Sequence, residues 1–227
     1  MIEFDADLGL GWMPATTGVI CGETPLQGHT IEESDAHASS LSALERQHAA
    51  ECTHCLQATG HRNLVFGEGD GNARLMFVGE APGADEDRLG RPFVGRAGEL
   101  LDRMIAALNL ERTEVYIANV LKSRPPDNRN PTPEEAARCG TWLARQIDQV
   151  DPEVIVTLGA VPTKFLLEQS TGITKARGTW GSYRASRREI PVMPTFHPAY
   201  VLRQYTPEVR GAVWNDLQEA KTRAYGD

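Results

Sequence analysis

"ARLMFVGEAPG", residues 73–83, joins a short apolar run to a polar turn rich in Gly and Pro. The run recurs three times, as "EVYIANV" (114–120), "EVIVTLG" (153–159) and "PVMPTF" (191–196). Between the copies lie helix-periodic stretches at 97–110, 132–150 and 160–170, with another at 206–224. Short buried runs alternating with amphipathic helices are the pattern of parallel strands covered on both faces. The expected fold is therefore α/β, a three-layer α/β/α sandwich around a central, mainly parallel four-stranded sheet. Thr132, Pro133 and Glu135 supply a cap, a first-turn proline and a capping box, so a helix is expected to start there.

Upstream, "SSLSALERQHAAEC" (39–52) predicts a helix capped by Ser39 or Ser40, with Leu41, Leu44 and Ala49 facing inward. Residues 1–38 show no sustained period and carry the turn-rich "GWMPATTG" and "GETPLQG". They are expected to form an acidic, poorly ordered tail, and residues 39–227 one domain. No run approaches the roughly 20 apolar residues of a membrane span. The start, "MIEFDADLGL", is acidic where a secretory leader is basic. A cytoplasmic protein with no membrane partner is expected.

The net charge of -8 argues at first against a nucleic-acid partner. Its distribution reverses the argument. Residues 1–45 hold eight acids and no Lys or Arg, so the 31 acids and 23 bases of the chain leave 23 of each sign from residue 46 onward. Basic loops such as "SRPPDNR" and "YRASRR" are then either DNA contacts or ordinary solvated turns. Cys21, Cys52, Cys55 and Cys139 are unevenly spaced in a chain expected to be cytoplasmic, which favours metal or cluster chemistry over disulfides. Cys21 lies in the tail and reads as a simple thiol.

In sheets of this kind ligands bind beyond the carboxyl ends of the strands. Three unusual loops gather there: "GEAPGADEDRLGRPFVGRAG" (79–98), "NVLKSRPPDNRNP" (119–131) and "FHPAYVLR" (196–203). Phe93, set between glycines, is either a core plug or a stacking platform for a planar ligand. Asn119 ends a strand, where its carboxamide either caps the strand or offers a donor and an acceptor matched to a pyrimidine imide edge. His197 follows a strand and precedes Pro198, on stiff, extended backbone.

"VFGEGDGNARLMFVGEAPGADEDRLGRPFVGRAGELLDRMI", "YIANVLKSRPPDNRNPTPEEAARC" and "PTFHPAYVLR" together resemble the signature blocks of the family 4, iron-sulfur uracil-DNA glycosylases, in order and spacing, from about Leu41 to Ala224. The resemblance implies a monofunctional DNA-repair hydrolase that flips uracil out of single- or double-stranded DNA, cuts its N-glycosidic bond and leaves an abasic site. A monomer is expected. By position, His197 would hydrogen-bond the uracil O2 as negative charge develops, Asn119 would read the uracil edge and Phe93 would stack on it. Glu80 and Ala81 fall in the first motif, whose backbone lines the pocket. Glu86 matches an acidic residue beside the pocket, and Glu86 and Asn128 are the candidates for orienting water. Ala81 stands where some relatives place an Asp. Tyr200, Val201, Leu202 and Arg203 would enter the DNA beside the lesion or hold phosphate. A covalent relative carries a His in a basic loop that "SRPPDNRN" (123–130) lacks. The rival reading is a superfamily member that binds DNA or nucleotides and has lost catalysis.

The same resemblance implies a 4Fe-4S cluster on four cysteines. Cys52, Cys55 and Cys139 fall on three of the positions and Ser123 on the fourth. A serine oxygen is a harder ligand than thiolate. A cluster with Ser123 bound, a three-cysteine cluster, zinc or no metal all remain open at this point.

Overall fold

The computed structural model describes residues 31–52 and 60–226. Among them the chain runs α1 (Ile31–Glu51), β1 (Glu68–Gly69), β2 (Leu75–Gly79), α2 (Ala84–Leu89), α3 (Arg96–Ala107), β3 (Tyr116–Asn119), α4 (Pro133–Val150), β4 (Val154–Leu158), α5 (Ala160–Leu167), α6 (Ile173–Ala176), β5 (Gly181–Arg184), β6 (Glu189–Thr195), α7 (Pro198–Arg203) and α8 (Pro207–Tyr225). Short 3-10 turns lie at Arg112–Glu114 and Pro126–Asn128.

The strands form one sheet in the order β1-β3-β2-β4-β6-β5. The inner four, β3, β2, β4 and β6, are mutually parallel and are the four runs expected from the sequence. The sheet has six strands rather than four because a short antiparallel strand is added at each edge, β1 against β3 and β5 against β6. Neither edge strand could announce itself: β1 is two residues long, and β5 alternates half-buried and exposed positions in a polar stretch.

β2 is buried along its whole length, and its pleat divides the core in two. Leu75 and Phe77 face a layer built from α3, α7 and α8, through Leu101, Met104, Val201, Trp214 and Leu217. Met76 and Val78 face α1, α4 and α5, through Leu41, Leu143, Ile147 and Leu166. This is the three-layer arrangement. The start of α4 is as expected: Thr132 accepts from the Glu135 amide, and Glu135 accepts from the Thr132 amide. α1 differs from expectation in its start and in one position of its inner face. It begins at Ile31, so Ser39 and Ser40 lie inside it, and its inner face continues from Leu41 and Leu44 to His48, which is fully buried, while Ala49 is exposed. Steps of three and four residues reach His48 before Ala49. Cys21, Cys55 and residues 1–30 of the expected tail lie outside the described residues.

Candidate active site at the carboxyl edge of the sheet

The chain passes from β2 to β3 on one side of β2, then crosses to β4 on the other. That reversal puts the topological switch point at the carboxyl end of β2, where α/β sheets bind ligands. Glu80 follows β2, Asn119 is the last residue of β3, Gly159 follows β4 and His197 stands two residues after β6. Pairing continues past the strand ends, the Val120 amide donating to the Gly79 carbonyl and the Leu121 amide to that of Glu80.

Phe93 and Asn119 meet over Gly79. A Cβ on that glycine would lie 2.3 Å from Asn119 Oδ1 and 2.5 Å from Phe93 Cζ, so only a residue without a side chain fits. Asn119 is 2% exposed, and its Oδ1 has no hydrogen-bond partner among the described residues. An unmet buried acceptor costs about 1–3 kcal/mol, which a ligand donor would recover. The buried Lys122 fixes the Asn119 backbone, its Nζ donating to the Asn119 carbonyl at 2.6 Å.

The His197 ring lies 5.7 Å from that of Phe93, nearly parallel, with 30° between the planes. His197 also caps α7: its Nδ1 accepts the Ala199 amide at 3.0 Å. Burial above all, then the Arg203 charge, lowers its pKa to about 4, against an opposing pull from Glu86. The imidazole is therefore neutral at pH 7. With Nδ1 accepting, its one proton sits on Nε2, which becomes a fixed donor. Gly159, at φ 99°, turns the chain from β4 into α5 in a conformation that suits glycine, and its missing Cβ would lie 3.2 Å from His197 Cβ.

The other expected residues divide. Glu80 is half-buried at the end of β2, and burial raises its carboxyl pKa. Ala81 packs beside Leu121 and Cys139. Glu86 is committed elsewhere: Oε1 accepts the amides of Val94 and Gly95, both at 2.9 Å, and Oε2 that of Gly83 at 3.0 Å. That carboxylate is occupied in holding the Phe93 loop, so the expectation that it orients water does not fit. Asn128 fits that expectation no better, being exposed in its 3-10 turn and accepting from Arg124 Nε at 2.7 Å.

Within α7, Val201 is 1% exposed in the core, contrary to its expected place in a DNA-contacting surface, because the helical repeat turns it inward with Pro198. Tyr200 and Leu202 are half-buried against the core edge, and Arg203 is exposed. The "YRASRR" loop precedes β6 and so lies at the opposite edge of the sheet from His197. Its Arg188 is pinned by Asp151, Glu153 and the carbonyls of Asp151 and Pro152.

Sequence reasoning missed two supports. Arg112 donates to the carbonyls of Pro92 and Phe93. Asp216 is buried on α8; it accepts from Thr195 Oγ1, two residues before His197, at 2.6 Å and pairs with Arg177. Each arrives from a distant element at no motif spacing, so a single sequence offers no signal for either.

Cys52 and Cys139, far apart in sequence, share one small apolar cluster with Leu121, Leu64 and Ala81. Ser123 is buried at 2% exposure, two residues beyond Leu121. Among the described residues no group of three or more His, Cys, Asp or Glu could hold a metal ion. Two converging thiols in an apolar shell nevertheless fit a soft-ligand site.

Known proteins agree with this architecture. A family profile described as the uracil DNA glycosylase superfamily matches residues 66–218. The type-4 uracil-DNA glycosylase of Thermotoga maritima is 44% identical over 183 residues, covering 80% of this chain and 94% of the relative. That of Sulfurisphaera tokodaii is 44% identical over 191 residues, 81% and 86% respectively. A type-5 uracil-DNA glycosylase of Pyrobaculum aerophilum is more distant, 33% identical over 146 residues. The profile covers both halves of the pocket, from β1 through α7 and into α8, and the chain belongs to the uracil-DNA glycosylase superfamily, in its type-4 branch.

Proposed function

We propose that this protein is a DNA-repair glycosylase that takes uracil, flipped out of single- or double-stranded DNA, into the space bounded by Phe93, Asn119 and His197, and hydrolyses its glycosidic bond. The observation that carries the reading is the buried Asn119 Oδ1, which has no hydrogen-bond partner among the described residues. It is an acceptor for the imide N3–H, and the amide nitrogen of the same side chain is a donor for O4. Phe93 offers a ring face for stacking. His197 Nε2–H donates to O2, where negative charge accumulates as the bond breaks, and a donor fixed in advance stabilises that charge without reorganising. A neutral donor does not surrender its proton easily, so the base leaves as an anion.

The sugar left behind carries positive charge and is captured by water. Glu80 is the acid best placed to hold that water, since its carboxylate engages no other described group, unlike those of Glu86 and Asn128's carboxamide. Two exposed arginines at the same edge, Arg96 at the start of α3 and Arg203 at the end of α7, suit phosphate contacts, with Tyr200 and Leu202 beside them. Cys52, Cys55 and Cys139 would hold a 4Fe-4S cluster with Ser123 at the fourth corner. When bound, the cluster supplies a structural tie between α1, the loop after β3 and α4, and takes no part in the bond cleavage.

The test is incubation of end-labelled uracil DNA, single-stranded and paired with G or A, followed by alkali. Wild type is expected to give strand scission and His197→Ala at least 100-fold less, in line with the loss of one oxyanion donor. No scission by wild type would favour a binding-only protein, and equal scission by both would remove His197 from its role.

A further inference from the structure

Phe93 is the aromatic residue over Gly79, yet its backbone is at φ 49°, in the left-handed region that is strained for an L-residue. Something must hold it there. The chain on both sides is gripped. From one side the Arg112 guanidinium donates through Nη2 to the Pro92 carbonyl at 2.5 Å and through Nη1 to the Phe93 carbonyl at 3.3 Å. From the other, Glu86 accepts the Val94 and Gly95 amides. Beneath, α3 closes on the same backbone: a Cβ on Gly98 would lie 1.9 Å from the Phe93 oxygen.

Arg112 is itself held. Its Nη1 reaches Asp102 at 2.6 Å on α3, and its Nε reaches Glu68 at 3.2 Å on β1. Glu68 also takes two donors from Arg91, adjacent to Pro92. With only 18% of its side chain exposed, Arg112 joins three elements to one loop. A lysine has the charge but not the fork and cannot meet the two carbonyls and two carboxylates at once.

We propose that Arg112 and Glu86 are positioning residues that clamp residues 92–95 and thereby aim the Phe93 ring at the bound base. Neither residue is given a contact with the base itself; both act through Phe93. The proposal rests on the glycosylase reading of the pocket.

The experiment is a double-mutant cycle of Arg112→Met with Phe93→Leu, reading single-turnover kcat/KM on uracil DNA, with amide hydrogen exchange at Val94 and Gly95 followed in parallel. Phe93→Leu keeps a Cβ, so the backbone constraint at 93 persists while the ring is lost. Arg112→Met alone is expected to lower kcat/KM about 10- to 100-fold, the scale of a roughly 1 Å misplacement, and to speed exchange of the two amides. The double variant is expected to be no worse than Phe93→Leu alone, and Arg112→Lys to recover only part of the loss. Penalties that multiply, with exchange unchanged, would overturn the clamp and leave Arg112 a general stabiliser. If Arg112→Met does not fold, Glu86→Ala, which leaves Arg112 in place and removes the acceptor of the Val94 and Gly95 amides, carries the same cycle. Wild-type inactivity on uracil DNA would sink the glycosylase reading instead; the exchange measurement would still decide the clamp.

Discussion

His197 shows how much one side chain can owe to its neighbours. Its cap bond to the Ala199 amide selects the tautomer, and burial with Arg203 selects the charge, bringing the pKa to about 4. For activity, the imidazole is already neutral at pH 5.5, so the single-turnover rate is expected to show no limb from this group between pH 5.5 and 8 and to fall only toward pH 4. An inflection near 6.5 that disappears in a His197 variant would contradict the assignment. For stability, the unfolded histidine takes up a proton below its ordinary 6.5 while the folded one resists until about 4. The unfolded state thus binds more protons in that window, and His197 contributes a loss of stability as pH falls through it, with its full support present above 6.5. The sequence marked Asn119 and His197 because each sits where a strand ends, and Phe93 because it is set between glycines in the loop that follows β2. It could not mark Arg112 or Asp216, whose importance lies in what they reach across the fold.

Elements were legible in proportion to their length and burial. The four parallel strands and α3, α4, α5 and α8 emerged from periodicity within a few residues of their observed limits, because a fully buried strand or an amphipathic helix writes its environment into every position. The edge strands and the early start of α1 did not, since half-exposed or polar segments satisfy several structures equally well. Capping at α4 was the most readable local signal, and here it does more than end a helix. Glu135, 7% exposed, answers the Thr132 amide and also receives Arg129 through two bonds of 2.7 Å, tying the loop after β3 to the helix that carries Cys139. Thr132→Ala is expected to cost about 1 kcal/mol, the usual loss for an N-cap. In a chain of this size that lowers Tm by about 2–4 °C, measured by calorimetry at neutral pH. A change below 1 °C would mean that Glu135 and Arg129 hold the helix start without the threonine.

At the scale of the molecule, the candidate site residues gather at one edge of the sheet while the other is locked by ion pairs around Arg188. The end of α1, the loop after β3 and α4 meet in the cluster of Cys52, Leu121 and Cys139, with the buried Ser123 two residues beyond Leu121. Binding a metal there would stabilise only the folded chain, since the ligands are brought together by folding. Replacing Ser123 with Cys adds a soft ligand, so Ser123→Cys is expected to raise iron per chain in anaerobically purified protein and to raise Tm with it. Equal iron and equal Tm in both proteins would show that the serine position has no part in metal binding. Base choice should not change, because Phe93, Asn119 and His197 are left untouched.

The left-handed backbone at Phe93 sets two demands on one residue against each other. Glycine would adopt that conformation freely, but Phe93 is 5% exposed within the main core cluster, and deleting its ring would leave a cavity that costs about 3–5 kcal/mol, more than the strain relieved. Retaining an aromatic side chain there sets local backbone strain against buried ring contacts, a balance struck at a single residue. Screens that select variants for heat resistance alone are therefore expected to keep the ring and to reject glycine at this position despite its easier backbone.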